Sequence, residues 1–338
     1  MRRAAQIIAC WIVASGCASG ISAHVARSSQ AAEATREVTD EVGRKVTLPA
    51  EVNRIVTLSP DLTETIYALR LEAKLVGDTD YCDTPPEAKR KPHVGSAQSP
   101  SLEAIVGLHP DLVLVTATIN RRETADALKH LGIAVYTTYP HTVRGILESV
   151  EHIAELAGAA EQGAVLVERL QSRLDALHTR LEARPMVHVL FVEWIYPLLT
   201  IGQNTFIADA LRWAGAESVI LSKQNWPRVS LEEIVRLQPD YILLTRNHGG
   251  TNEEELDELR SRPVWKKLSA VERGHTLMVE DEMARPAPGL IGAIEKLARE
   301  LHPEAFSADA ISGNWKLAGG EQPDPSAQPA EWCGRCAR

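Results

Sequence analysis

The sequence contains no G-x-x-x-x-G-K-[ST], no H-E-x-x-H and no G-x-S-x-G. The usual signatures of a phosphate-cradling loop, a zinc-protease helix and a serine nucleophile elbow are therefore missing. Its eleven histidines are scattered, with no pair at metal-ligand spacing. Carboxylates are plentiful, but none stands beside a recognisable nucleophile or base. These absences favour a binding protein over a hydrolase or kinase, and the expectation is no catalysis, no cofactor and no metal site. Five cysteines in 338 residues are too few for a disulfide scaffold. A net charge of −9 leaves no Lys/Arg stripe to neutralise phosphates, which excludes a nucleic-acid partner.

The chain does carry a long, ordinary globular composition, with 44% hydrophobic and 24% charged residues, enough for two domains. At its start Arg2 and Arg3 precede an apolar run from Ala4 to Val13 and then small residues. That run is too short to span a bilayer and reads as a secretory signal over residues 1–23. Two processing routes are open. Cleavage after Ala23 would release a soluble periplasmic protein, whereas Ala14-Ser15-Gly16-Cys17 would leave a lipidated Cys17 as the first mature residue. Cys333-Gly334-Arg335-Cys336, after Trp332, has the spacing of a thioredoxin-type site. Too little chain follows to build the helix that acidifies such a thiol, so the pair reads as a tail disulfide. A thiol- or metal-handling role for it is the alternative from another class. Cys82 is expected to be a free, buried thiol.

One unit occurs twice. SLEAIVGLHPDLVLVT at 101–116 returns as SLEEIVRLQPDYILLT at 230–245, with ten of sixteen positions identical. Each copy reads as a Ser-capped helix, a Pro-Asp turn and a continuous apolar strand. Around both copies strands alternate with helices in the same order, which predicts an α/β fold of two Rossmann-like lobes with mostly parallel sheets. Leu166, Leu170, Leu174, Leu177 and Leu181 form one stripe on a connecting helix of about seven turns. The expected organisation is a tether at 24–40, an N-terminal lobe at 41–157, the connecting helix at 158–185, a C-terminal lobe at 186–303 and a disordered tail at 304–338. A ligand cleft is expected between the lobes, and one helix as connector should allow little hinging.

The two lobes, the single helix, the signal and the duplicated unit resemble the single-helix-hinged substrate-binding proteins of ABC importers for cobalamin, haem and iron–siderophores. The likeness covers roughly 40–303. It leans toward the cobalamin-binding members through Asp80-Tyr81-Cys82-Asp83-Thr84-Pro85-Pro86-Glu87-Ala88, Glu193-Trp194-Ile195-Tyr196-Pro197, Trp226-Pro227-Arg228-Val229-Ser230, and Asp281 with Arg285. The resemblance implies a corrinoid held between aromatic rings at Tyr81, Trp194, Tyr196 and Trp226, with Asp281 and Arg285 bonding its amide edge and no protein ligand to cobalt. Each tryptophan also admits a reading as lobe-core packing, and the acid–arginine pair one as a surface ion pair. The sequence departs from the likeness at Thr84, Ala97 and Thr116, where such proteins often carry aromatics. A haem would call for Tyr81 or Tyr196 as axial ligand. Glu103 and Glu232, third in each repeat, are implied to dock onto the two subunits of an inner-membrane permease, with the protein acting as a monomer. An ordinary first-turn glutamate, favoured by the helix dipole, explains either alone.

Overall fold

The computed structural model describes residues 34–195, 197–245 and 252–307. Cys17, Tyr196, Cys333 and Cys336, the signal segment and the tail beyond 307 lie outside the described residues.

Strands β1 (Thr35–Thr39) and β2 (Lys45–Pro49) form an antiparallel hairpin. Its turn closes as Asp40 accepts from the Arg44 backbone N–H at 2.6 Å, while Gly43 takes a positive φ of 81° that only a residue without Cβ adopts freely. The hairpin thus opens at Thr35, inside the segment expected to be tether. The first lobe follows as β3 (Ile55–Thr57), α1 (Pro60–Ala68), β4 (Leu75–Gly77), the small hairpin β5 (Gly95–Ser96) and β6 (Ser99–Pro100), and α2 (Leu102–Gly107). It continues with β7 (Leu112–Thr116), α3 (Arg122–His130), β8 (Val135–Thr138) and α4 (Val143–Leu156). Helix α5 (Ala160–Leu181) connects to the second lobe, which opens with β9 (Val187–Trp194), β10 (Leu199–Thr200), α6 (Phe206–Trp213) and β11 (Ala216–Ser218). The remainder is α7 (Leu231–Leu237), β12 (Tyr241–Thr245), α8 (Asn252–Ser261), α9 (Ser269–Glu272), β13 (Thr276–Val279), α10 (Leu290–Leu301) and α11 (Pro303–Phe306). The short α11 runs into what the sequence suggested as disordered tail.

Strand order makes the duplication visible. The first sheet runs β4-β3-β7-β8, all parallel. The second runs β11-β9-β12-β13, again parallel, with β10 folded back antiparallel on the far end of β9. In each lobe the second parallel strand in sequence, β4 or β11, therefore takes the edge beside the first. β7 is buried at all five positions, as a strand covered on both faces must be.

The repeated stretch is repeated down to its hydrogen bonds. The Ser101 hydroxyl accepts from the Ala104 N–H at 3.2 Å, and the Ser230 hydroxyl from the Glu233 N–H at 3.1 Å. His109 and Gln238 leave their helices in the same left-handed conformation, at φ 46° and 47°. Asp111 then accepts from the Arg54 N–H at 2.8 Å and Asp240 from the His188 N–H at 3.0 Å. Each aspartate thereby pins the entry of its lobe's first strand.

Helix α5 has 22 residues, about six turns and some 33 Å long, one turn shorter than its leucine stripe suggested. The five leucines are buried. They belong to one apolar core that also takes Leu48, Ile55, Leu114 and Ile153 from the first lobe and Phe191, Ile207, Leu243 and Ile294 from the second. The outer face of each sheet has a smaller core of its own, under α2 and α3 in one lobe and under α7 to α9 in the other. Among the described residues no helix is long and apolar enough to cross a membrane.

Candidate functional site

In a parallel α/β sheet, ligands sit outside the carboxyl ends of the strands, and here both sheets aim those ends at one cleft of about 400 Å³. Pro60 and Asp61 reach it from the end of β3 and Ile119 from beyond β7; Glu193 and Trp194 close β9, Thr245 closes β12, and Asp281, Ala284, Arg285 and Pro286 follow β13. Two further concavities, near Arg44 and Lys129 and near Thr116 and Arg122, lie within the first lobe alone.

The cleft is lined with acceptors. Asp61 is 3% exposed, and its Oδ1 has no hydrogen-bond partner. Burial pushes its carboxyl up to about 6, against the Ser59 hydroxyl, the backbone N–H groups of Asp61 and Leu62, and the charge of Arg285. Glu193 Oε2 and Asp281 Oδ1 are likewise buried without a partner, and burial also raises the Glu193 carboxyl. Arg285 is the one guanidinium among the described lining residues, and it is already engaged. Its Nη1 donates to Thr84 Oγ1 at 3.3 Å and its Nη2 lies 3.7 Å from Asp83, both across the cleft in the first lobe. No ion pair joins it to Asp281 among the described residues, so the pairing suggested by their spacing is not made. Among the described residues no three His, Cys, Asp or Glu side chains converge to hold a metal ion.

One turn beyond Asp61, Glu64 accepts from the Gly289 N–H of the second lobe at 2.7 Å. Its other oxygen is unpartnered, and burial lifts its carboxyl to about 7, with Glu282 and Asp61 adding to the rise against Gly289 and Arg285. An acid whose folded pKa is raised stabilises the fold below its unfolded value near 4.5 and loses that contribution as pH climbs through about 7. Glu64→Gln keeps an acceptor for Gly289 and removes the titration. It should be more stable than wild type by about 1–3 kcal/mol at pH 8, the gap closing toward pH 4. Denaturant titrations at both pH values check this; a pH-independent difference would refute it.

Of the residues singled out from sequence, Trp194, Asp281 and Arg285 are in the cleft wall. Trp226 and Tyr81 are not among its lining residues. Both are at least 44% exposed, Tyr81 on the loop after β4 and Trp226 on a loop held beside β10. That loop is fastened by Gly202, whose N–H donates to Asn225 O at 2.9 Å, and by Thr200, whose N–H donates to Pro227 O at 3.1 Å. A Cβ on Gly202 would fall on the Gln224 carbonyl oxygen. Gly202→Ala should therefore cost about 1–3 kcal/mol and shift Trp226; unchanged melting and unchanged tryptophan emission would contradict it. Glu103 and Glu232 are exposed in the first turns of α2 and α7. Each helix runs back against the strand that follows it, so both glutamates face the same side as the strand carboxyl ends. Cys82 is buried, its thiol shared between the Thr63 and Thr79 hydroxyls at 3.1 and 3.2 Å.

Asp61 and Glu64 went unread in the sequence, where Ser59-Pro60-Asp61 looks like a helix cap. The signal that could have found Asp61 is its place at the carboxyl end of a parallel strand.

A sequence profile described as periplasmic binding protein matches residues 55–281. An uncharacterised ABC transporter substrate-binding lipoprotein of Bacillus subtilis, YvrC, is 28% identical over 89% of this chain and 97% of its own length. A vitamin B12-binding protein of Yersinia pestis is 29% identical over 76% of this chain and 89% of its own. Among solved structures, the periplasmic vitamin B12-binding protein BtuF of Vibrio cholerae superposes with TM-score 0.67 at 25% identity, covering 75% of this chain and 98% of that one. The periplasmic haem-binding protein BhuT, solved with two haems, gives TM-score 0.66 at 25% identity with the same coverage.

Proposed function

This chain belongs to the periplasmic binding protein family, and from that premise we propose that its ligand is a corrinoid, captured between the lobes and handed to the permease of an ABC importer. It is a binding protein and not an enzyme. The observation that carries the ligand assignment is the sign of the cleft: three carboxyl groups, of Asp61, Glu193 and Asp281, line it against one guanidinium already held by Asp83. A corrinoid presents a broad apolar macrocycle fringed with primary amides, which donate to such oxygens. Haem brings carboxylates, and catecholate siderophores and oxyanions bring negative charge, so each meets like charge at Asp61, Glu193 and Asp281. Trp194, 49% exposed at the cleft wall, offers the macrocycle a ring face. The B12-binding relatives point the same way.

The likeness to a haem-binding structure supports a second reading, haem or an iron chelate, with Tyr81 or Tyr196 as axial ligand. Gel filtration of the mature protein after incubation with cyanocobalamin, haemin, a ferric siderophore or molybdate separates the readings. Cyanocobalamin should co-elute; retained haem without retained corrinoid would sink the preferred one. We take the protein to act outside the cytoplasm as a monomer, soluble or anchored through Cys17.

A further inference from the structure

We propose that Glu64 is a positioning residue for ligand binding: its hydrogen bond to Gly289 ties the two walls of the cleft to each other, and its ionisation loosens them. The inference rests on a ligand held between the lobes and not on that ligand being a corrinoid.

The duplication accounts for the contact. In each lobe the first helix carries an acid, Glu64 on α1 and Asp209 on α6, and each acid crosses to the last helix of the other lobe. Glu64 accepts from the N–H of Gly289, just ahead of α10, at 2.7 Å. Asp209 accepts from the N–H of Val143, the first residue of α4, at 2.8 Å. The lobes thus clasp each other reciprocally, each time with a carboxyl group on a helix N-terminus.

Only one of the two clasps joins the cleft walls. Pro60 and Asp61, one turn before Glu64, line the cleft from the first lobe, and Arg285 and Pro286, just before Gly289, line it from the second. The segment that carries Arg285 is also tied across at Thr84, by the 3.3 Å bond of its guanidinium. A change at Glu64 therefore moves two lining segments against each other.

The clasps also differ in surroundings. Asp209 is partly exposed and paired with Arg212 at 3.1 Å. Glu64 is 8% exposed and makes no ion pair among the described residues. Facing it are Asp61 from its own helix, Glu282 and Arg285 from the segment after β13, and the Gly289 N–H. Burial outweighs the two favourable groups, Arg285 and the N–H, and keeps the proton on Glu64 up to about 7. Below that pH the neutral acid sits in the clasp at little cost. Above it the charged form gains by reaching water, which it does only where the walls part. A ligand held between them should then leave faster.

The test is release of radiolabelled cyanocobalamin from the full mature protein, chased with unlabelled ligand at pH 6 and pH 8. Cyanocobalamin has no group that titrates in that interval. Wild type should release it about fivefold or more faster at pH 8. Glu64→Gln keeps an acceptor for Gly289 and cannot ionise, so at pH 8 it should release the ligand at the wild-type pH 6 rate, within about twofold. Asp61, which titrates near 6, remains in both proteins and cancels in the comparison. Glu64→Ala removes the acceptor, and the Cβ of Gly289→Ala would fall on Glu64 Oε1 and displace it. Both should release the ligand roughly tenfold faster than wild type already at pH 6. Wild-type rates that agree within twofold at the two pH values overturn the inference, as does the same pH step in Glu64→Gln. Glu64→Ala and Gly289→Ala proteins that melt lower yet release as wild type does reduce Glu64 to a structural role and overturn it too. Wild type that retains haemin and not cyanocobalamin overturns the corrinoid reading alone, and the same series run with haemin then decides this inference.

Discussion

Trp194→Ala combined with Trp226→Ala is expected to lower corrinoid affinity at least a hundredfold, with each single change costing about 2 kcal/mol, or roughly thirtyfold. The magnitude follows from exposure. The two side chains are 49% and 44% exposed, so on the order of 100 Å² of each remains for a ligand to cover. At about 25 cal/mol per Å² that area is worth about 2–3 kcal/mol per ring, of which ordering and desolvation consume part. The pair should not add fully, because β10 lies between the two segments and ties them together: Leu199 registers with Trp194 on one side and bridges to Arg228 on the other. Neither ring is in an apolar core, so the double variant should melt close to wild type. Isothermal titration with cyanocobalamin provides the check. An affinity within threefold of wild type would mean that neither indole meets the ligand.

Charge reversal at Glu103 and Glu232 should have the opposite profile, with ligand binding intact and uptake reduced more than tenfold. Each glutamate stands in the first turn of its helix, exposed and without an ion-pair partner among the described residues. Losing its favourable interaction with the helix dipole costs only about 0.3–1 kcal/mol, too little to unfold a lobe. The two helices are capped alike by Ser101 and Ser230 and end alike at His109 and Gln238, so the protein shows two equivalent negative points on its cleft side. A transporter with two related subunits has two surfaces to meet them. Charges at such a rim govern orientation and encounter more than tightness. Uptake assays in cells lacking the native protein, with Glu103→Arg and Glu232→Arg singly and together, decide the matter. Full uptake by the double variant would leave both residues as ordinary helix-start acids.

What could be read in the sequence was whatever repeats or runs locally. The Leu112–Thr116 strand announces itself because five consecutive apolar or β-branched residues need cover on both faces, and the duplicated Pro-Asp fixes where each such strand begins. Elements made by pairing alone stayed hidden. β1, Thr-Arg-Glu-Val-Thr, has no apolar run and exists because β2 lies beside it. β11 is Ala216–Ser218 and not the more apolar Val219-Ile220, since its place is set by parallel register with Val187–Val189. The site was legible to the same limit. Trp194, Asp281 and Arg285 stood in motifs, but the partner of Arg285 is Thr84, 201 residues away, and spacing cannot supply it. Asp61 is hidden for a deeper reason, since an acid one residue into a helix is normally a solvated dipole partner. What it lines is a cleft that only the second lobe completes.

The shared core around α5 has a kinetic consequence. The lobes are fixed to each other by buried leucines, by Glu64 on Gly289 and by Asp209 accepting from the Val143 N–H at 2.8 Å. Such a protein presents a standing cleft and has no jaw to shut. Capture is then a simple diffusional encounter with an ordinary association rate, and discrimination among ligands resides in how long each one stays. A passenger held only by contacts leaves as those contacts are lost.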